Sequence, residues 1–478
     1  MISARKFRHL RRGLEYFRKY TSQASTAEFY EDENVKTVKK LELDEKVASD
    51  LENRIYHPKK HPGVFRKKTD GLPLDLENAM QKILQGHKPL PLVKEGKKLC
   101  RQLWGRHFPP EKQDYVQKLE VEKLKAETAI NELDSNIDDK LASEIEEKIV
   151  TKQLQDIIHP WHPLNVTPET CLQYFISRTP AEYCVLHKIL SEIQQTDPEF
   201  VPLTLFDFGS GIASGYWAVR EVWKKPLKEV YNVDTNLNMN KLAQNILHLA
   251  KHYDENTQTT AEKGIFFRQF FPFSHERTYD IVLSAFTLLE LPSFKERVEA
   301  VAHLWSKTEN YLVIVEDGSN AGYKAVMEAR NLVIHLETPG ENDTDKTEAY
   351  VASPCPHEFV CPRFTKDNTP CNFEVNYLTP QFLEGKQVRQ NHRYSYVVFK
   401  KGQRPADRPQ WSRCVRESLL RNKHIHLHLC TPDGNIENSI LFKQNNCRNA
   451  YRCAKYTSWG DLLPGKIKDH VKDENKKS

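Results

Sequence analysis

Leu205-Phe206-Asp207-Phe208-Gly209-Ser210-Gly211-Ile212-Ala213-Ser214-Gly215 is the stretch that decides the fold. An apolar strand runs into a glycine turn and then into a helix, so a ligand can approach the backbone where no Cβ stands in its way. The next apolar run ends in Val233-Asp234. A carboxylate about 25 residues beyond the glycines is placed to accept bonds from both hydroxyls of a ribose. No lysine–serine pair follows the loop, which excludes a P-loop, and the spacing alone leaves a dinucleotide site open.

Outward from the loop, short apolar strands alternate with helical stretches: 203–208, 230–233, 264–267, 281–285 and 311–315, with helices predicted to Trp223 and to His252. That alternation predicts a parallel sheet with helices on both faces, and ligands at the C-terminal ends of its strands. Arg268 and Gln269 after the third strand are placed to meet an adenine; Ser284, Ala285 and Phe286 after the fourth are placed to border a reacting group. Glu316 and Asp317 after the fifth read as cap or turn acids. The form D-x-G-x-G-x-A resembles motif I of class I S-adenosylmethionine (SAM) methyltransferases. That resemblance implies cofactor binding by Asp207, Gly209, Gly211, Asp234 and Ser284. Where base-amine methyltransferases carry Asn/Asp-Pro-Pro-aromatic, this chain has Ser284-Ala285-Phe286-Thr287, and neither Cys184 nor Cys355 fits a pyrimidine-carbon nucleophile. No catalytic residue is named.

The second constellation is Cys355-Pro356-His357-Glu358-Phe359-Val360-Cys361-Pro362 with Cys371 ten residues further on. Three thiols in a proline-rich loop are spaced for a soft metal, with the fourth ligand to come from Cys414, Cys430, Cys447 or Cys453. Both a structural zinc and a 4Fe–4S cluster take four thiolates; the absence of paired C-x2-C motifs and the Cys-Pro steps favour the cluster. Buried free thiols are the bland alternative.

The chain has 478 residues, ten cysteines, 28% charged residues and a net charge of +5, with a mean hydropathy of -0.66. That length requires more than one unit. The longest apolar runs are far too short to span a membrane, so no membrane partner is expected. The modest positive charge suits either a polyanion or an ordinary solvated surface. Residues 1–24 hold seven cations and one acid, Glu15, with Phe7, Leu10, Leu14 and Phe17 at helical intervals. This reads as a mitochondrial transit peptide, or else a retained basic arm. The expected organisation is a helical N-terminal region over 25–159, a Rossmann-like α/β domain over 160–340, a cysteine-rich, β-containing unit over 341–466 and a charged, frayed tail over 467–478.

Arg178-Thr179-Pro180-Ala181-Glu182-Tyr183, the Asp207 loop, Val315-Glu316-Asp317-Gly318, the Cys355/Cys361/Cys371 segment, Tyr451-Arg452-Cys453-Ala454-Lys455 and Ser458-Trp459-Gly460-Asp461 together resemble the methyltransferase-like protein 17 family of mitochondrial small-ribosomal-subunit assembly factors. The resemblance spans about 160–465. It implies a 4Fe–4S cluster, with Cys430 in the fourth-ligand stretch His424-Ile425-His426-Leu427-His428-Leu429-Cys430. It also implies SAM as second cofactor, small-subunit rRNA as partner, a monomer on the ribosome, a matrix location, and catalysis weak or lost. An active rRNA methyltransferase and a zinc-stabilised, non-enzymatic RNA-binding module are the alternatives. His424, His426 and His428 fall on one strand face, better suited to solvent or RNA than to metal.

Overall fold

The computed structural model describes residues 37–65, 71–133, 148, 150, 161–251, 264–271, 277–337, 349–367, 369–405 and 408–471. The expected transit peptide lies outside them. Strand β1 (Thr37–Leu43) precedes helices α1 (Glu45–Glu52), α2 (Leu74–Ile83), α3 (Pro89–Trp104), α4 (Lys112–Leu133), α5 (Pro168–Ser177) and α6 (Thr179–Thr196). The alternating unit follows as β2 (Thr204–Phe208), α7 (Ser214–Trp223), β3 (Glu229–Val233), α8 (Leu237–Lys251), β4 (Ile265–Arg268), β5 (Tyr279–Ala285), α9 (Phe294–Lys307), β6 (Thr308–Asp317) and α10 (Asn320–Glu337). Its helix starts carry their own signals. Ser293 caps α9 by accepting the Glu296 N–H at 3.2 Å in an S-x-x-E pattern. Thr167 caps α5 ahead of Pro168.

Strands β2 to β6 are parallel in the order β4-β3-β2-β5-β6. The order reverses between β2 and β5, and the crevice beyond their C-terminal ends is the switch point where such sheets take ligands. One apolar face packs Leu205, Ile281, Leu283 and Val313 against α6 and α7; the other packs Phe206, Val282, Leu312 and Ile314 against α9 and α10. Among the described residues no helix is long and apolar enough to cross a membrane.

The sheet does not stop at residue 340. Strands β7 (Ala349–Ser353), β8 (Phe373–Leu378) and β9 (Arg389–Lys401) continue it: β9 runs antiparallel to β6, and β7 and β8 pair with its two halves. The expected boundary at 340/341 therefore cuts through one hydrogen-bonded sheet. The β6–β9 ladder joins residues some 80 positions apart, and no local periodicity announces it. The fold is that of a class I methyltransferase, completed by strands from what reads in sequence as a separate unit.

Beyond β9 a second, smaller sheet forms from β10 (Arg413–Cys414), β11 (Leu419–Leu420), β12 (His424–Cys430) and β13 (Ile436–Phe442), with α11 (Arg448–Tyr456) and β14 (Gly465–Val471) after it. Strand β14 pairs with β1 along its whole length. Two expectations are corrected by that pair. The N-terminal region is not wholly helical, and residues 467–471 are a strand rather than frayed tail: Ile467 pairs with Leu41, which is buried.

Candidate functional site

The glycine loop is tied to β3, since the Gly209 and Ser210 amides both donate to the Val233 carbonyl, at 2.8 and 3.1 Å. Gly209 (φ 71°), Gly211 (φ 52°) and Ala213 (φ 66°) take left-handed conformations, which only glycine adopts without strain. A Cβ on Gly209 would lie 2.1 Å from Thr287 Oγ1, whereas one on Gly211 would meet nothing within 4 Å. The first glycine is thus needed for packing, and the second leaves the backbone open to the crevice.

Asp234 follows β3 at the crevice floor. Its Oδ2 accepts the Gly211 amide at 2.9 Å and its Oδ1 the Asn236 amide at 2.8 Å. Burial raises its pKa, against the pull of those two amides. Asp207 is 2% exposed, and its pKa is pushed up to about 8 by burial and then by the charges of Asp234 and Glu182. At neutral pH it is mainly a neutral carboxylic acid. Ser284 corrects an expectation: it lies inside β5 and is fully buried, instead of following the strand. Among the described residues its Oγ, with those of Ser210 and Ser214, has no hydrogen-bond partner. Unpaired buried hydroxyls are costly. Three of them, two flanking the glycine turn and one on β5 opposite Phe208, are what a polar cofactor would satisfy, so these residues fit SAM. Gln269 bonds to the Thr235 carbonyl on the same rim.

Glu316 and Asp317 are likewise inside β6, not in a turn after it. Glu316 accepts the Leu288 amide at 2.6 Å, and burial, then Asp317, lifts its pKa to about 8. Asp317 Oδ1 accepts from Arg178 at 2.9 Å and lies 3.0 Å from His392 Nε2. Burial would raise its pKa, but the Arg178 charge, and then the contact with His392, hold it below the usual carboxylate range. Arg178 also binds Glu182 at 2.9 Å and lies 4.6 Å from the Phe286 ring centre. Phe286 itself has φ 57°. This Arg178–Asp317–His392 group, at the crevice edge, is absent from the sequence expectations. The i,i+4 spacing of Arg178 and Glu182 was its only local signal.

The cysteines meet between the two sheets. Cys355 and Cys361 lie in the β7–β8 connection, Cys371 just before β8, and Cys430 ends β12. Cys355 and Cys361 belong to one apolar cluster with Tyr323, Cys371 packs against it, and Cys430 lies against His357 of the same connection. Burial raises the Cys430 thiol well above its ordinary value, and the charges of Cys355, Cys371 and Cys361 raise it further. The competitors lie elsewhere: Cys414 contacts the Arg416 carbonyl, Cys447 caps α11, and Cys453 packs with Val47, Leu51 and Trp411. Helix α10 roofs the pocket, with Tyr323 OH 3.3 Å from Cys361 Sγ, and His357 Nε2 lies 3.3 Å from Cys430 Sγ. Arg330 is fully buried there, donating to the His357 and Phe359 carbonyls at 2.8 and 2.9 Å. Among the described residues its side-chain partners are the Asn331 amide oxygen and the two carbonyls, with no carboxylate, and its charge lowers the Cys355 pKa against the larger effect of burial. A buried guanidinium needs a counter-charge, and thiolates bound to a metal centre supply one, so the donor set fits such a group. Among the described residues no three His, Cys, Asp or Glu side chains converge on a single ion position.

The family profile described as mitochondrial small ribosomal subunit Rsm22 matches residues 168–464. The human mitochondrial ribosome assembly protein METTL17 is 35% identical over 410 residues, 85% of each chain. The Rsm22-cox11 tandem protein 2 of Schizosaccharomyces pombe, a mitochondrial protein, is 25% identical over 357 residues, 64% of this chain and 46% of its own. Among solved structures, the Synechocystis magnesium protoporphyrin IX methyltransferase with bound SAM aligns with 55% of this chain and 99% of its own, at 13% identity and a TM-score of 0.27. Profile and identity agree: this chain belongs to the Rsm22 family of mitochondrial small-ribosomal-subunit proteins and is a homologue of a mitochondrial ribosome assembly protein.

Proposed function

We propose that this chain is an assembly factor of the mitochondrial matrix that binds immature small ribosomal subunits and their rRNA as a monomer. In this reading it holds SAM in the crevice at Asp207, Gly209, Gly211, Asp234 and Ser284. It holds a 4Fe–4S cluster on Cys355, Cys361, Cys371 and Cys430, and uses both to fix its shape more than to transfer a methyl group. The observation that carries the reading is the buried grouping of Cys355, Cys361 and Cys371 with Cys430 close by against His357, beside a buried Arg330 that among the described residues has no carboxylate partner. A cluster there would tie the small sheet to the large one, so the mutual position of the two sheets would depend on iron supply.

Bound SAM supplies an activated methyl group. The groups on this chain nearest that edge of the crevice are engaged otherwise: Asp317 with Arg178 and His392, Glu316 with the Leu288 amide, and the Thr287 hydroxyl with the Phe208 and Ala285 carbonyls at 3.2 and 2.9 Å. Among the described residues no free base is found beside these groups, which favours binding over turnover. The test is metal analysis and the visible spectrum of anaerobically purified full chain, with SAM titration and a methyl-transfer assay on small-subunit rRNA. A brown protein with iron and sulfide that binds SAM without transfer is expected. A colourless, zinc-loaded protein, or rapid transfer lost in Asp234→Ala, would replace this reading by one of its alternatives.

A further inference from the structure

One face of the small sheet is built for stacking. Ile425, Leu427, Leu429 and Leu441 point inward and are buried, which turns the alternate residues of β12 and β13 outward. Register then sets two cross-strand rows on the outer face. In the first, Arg421 pairs with His424 through its amide, and His424 pairs with Phe442. In the second, Leu419 pairs with His426 and His426 with Ile440. The rings adjoin, with His424 5.0 Å from His426 and 5.4 Å from Phe442. Leu419, Ile440 and Phe442 are 48%, 40% and 39% exposed, an apolar surface that a sheet normally covers.

The rim decides the occupant. Arg416, Arg421, Lys423 and Lys443 are all exposed, and among the described residues none forms an ion pair; Glu417 is the one acid among them. Cations spaced around a flat patch of two imidazoles and a phenyl ring match the phosphates and splayed bases of a single strand, because stacking accepts any base and the cations follow the backbone. A duplex hides its base faces, and an apolar protein partner would not call for four unpaired cations. We propose that the outer face of the β11–β12–β13 sheet binds single-stranded RNA, with bases on His424, His426 and Phe442 and phosphates on the rim. This rests on the ribosome-binding reading above and gives it a place on the molecule.

The test uses the full chain and a fluorescein-labelled 12-nucleotide oligouridylate, read by anisotropy over a salt series, alongside co-sedimentation with mitochondrial small subunits. His424→Ala/Phe442→Ala should weaken oligouridylate binding by about tenfold or more. Arg421→Ser/Lys443→Ser should weaken binding and flatten its salt dependence. Thermal melting should be unchanged, since these side chains face solvent. Crosslinking of 4-thiouridine RNA to the wild type, mapped by peptide, should fall within 419–443 and keeps the test decisive if a variant misfolds. Wild-type affinity in both variants, crosslinks only elsewhere, or variants that lose the subunit but not free RNA would overturn the assignment. If the wild type binds RNA and subunits through another surface, only the face is wrong. If it binds neither, the ribosome reading fails with it.

Discussion

At the scale of single residues, the two loop-side acids carry the clearest physical signature. Glu316 and Asp207 are buried, with pKa values pushed to about 8, so each is protonated in the folded chain and ionised at neutral pH once unfolded. The sign follows from linkage. A raised folded pKa gives stability that is complete below the unfolded value of about 4 and is lost as pH rises towards and through about 8. Each group should therefore remove up to about 1.4 kcal/mol of stability per pH unit across that window. The melting temperature should fall from pH 6 to 9, and Glu316→Gln, which mimics the protonated acid, should flatten part of the fall. An unaltered slope in that variant would refute the assignment. Asp234→Ala should abolish SAM binding by calorimetry, because it removes the proposed ribose acceptor and the Gly211 anchor.

At the scale of elements, legibility tracked locality. Strand, glycine turn and helix around Asp207 could be read directly, because each signal lies within a few residues of the structure it dictates. The outward histidines of β12 were legible for the same reason, as strand alternation needs only neighbours. The expected end of β6 falls two residues short of Asp317, so Glu316 and Asp317 read as following a strand that contains them, while Ser284 reads as following β5 although it lies within it. Polar residues within a strand end look like loop until the neighbouring strands that bury them are known. The Arg178–Asp317 contact spans 139 positions and had no local trace. Packing also gives the loop a steric test. Gly209→Ala must place a methyl 2.1 Å from Thr287 in a left-handed backbone. It should cost about 1–3 kcal/mol and weaken SAM binding; a melting temperature equal to wild type would contradict the packing described.

At the scale of the whole molecule, the chain closes on itself twice. The β1–β14 pair joins the two ends of the described structure, with Leu41 in the core of the small sheet and Lys468 in contact with Glu42. Removing residues 465–478 should leave β1 unpaired and make the 37–52 segment the first site of limited proteolysis; an unchanged cleavage pattern would show the pair to be dispensable. The second closure is the cysteine pocket itself, where a connection of the large sheet meets the last residue of β12. If a cluster binds there, metal content and ribosome association should stand or fall together. The most direct measurement is co-sedimentation of the full chain with mitochondrial small-subunit particles, with iron and acid-labile sulfide counted on the same preparations, for wild type, Cys361→Ser and the exposed-thiol control Cys447→Ser. About four irons per chain and stable association are expected for wild type and control, and loss of both in Cys361→Ser; a Cys361→Ser chain that has lost its iron yet sediments with the subunit as wild type does would contradict a cluster-dependent association.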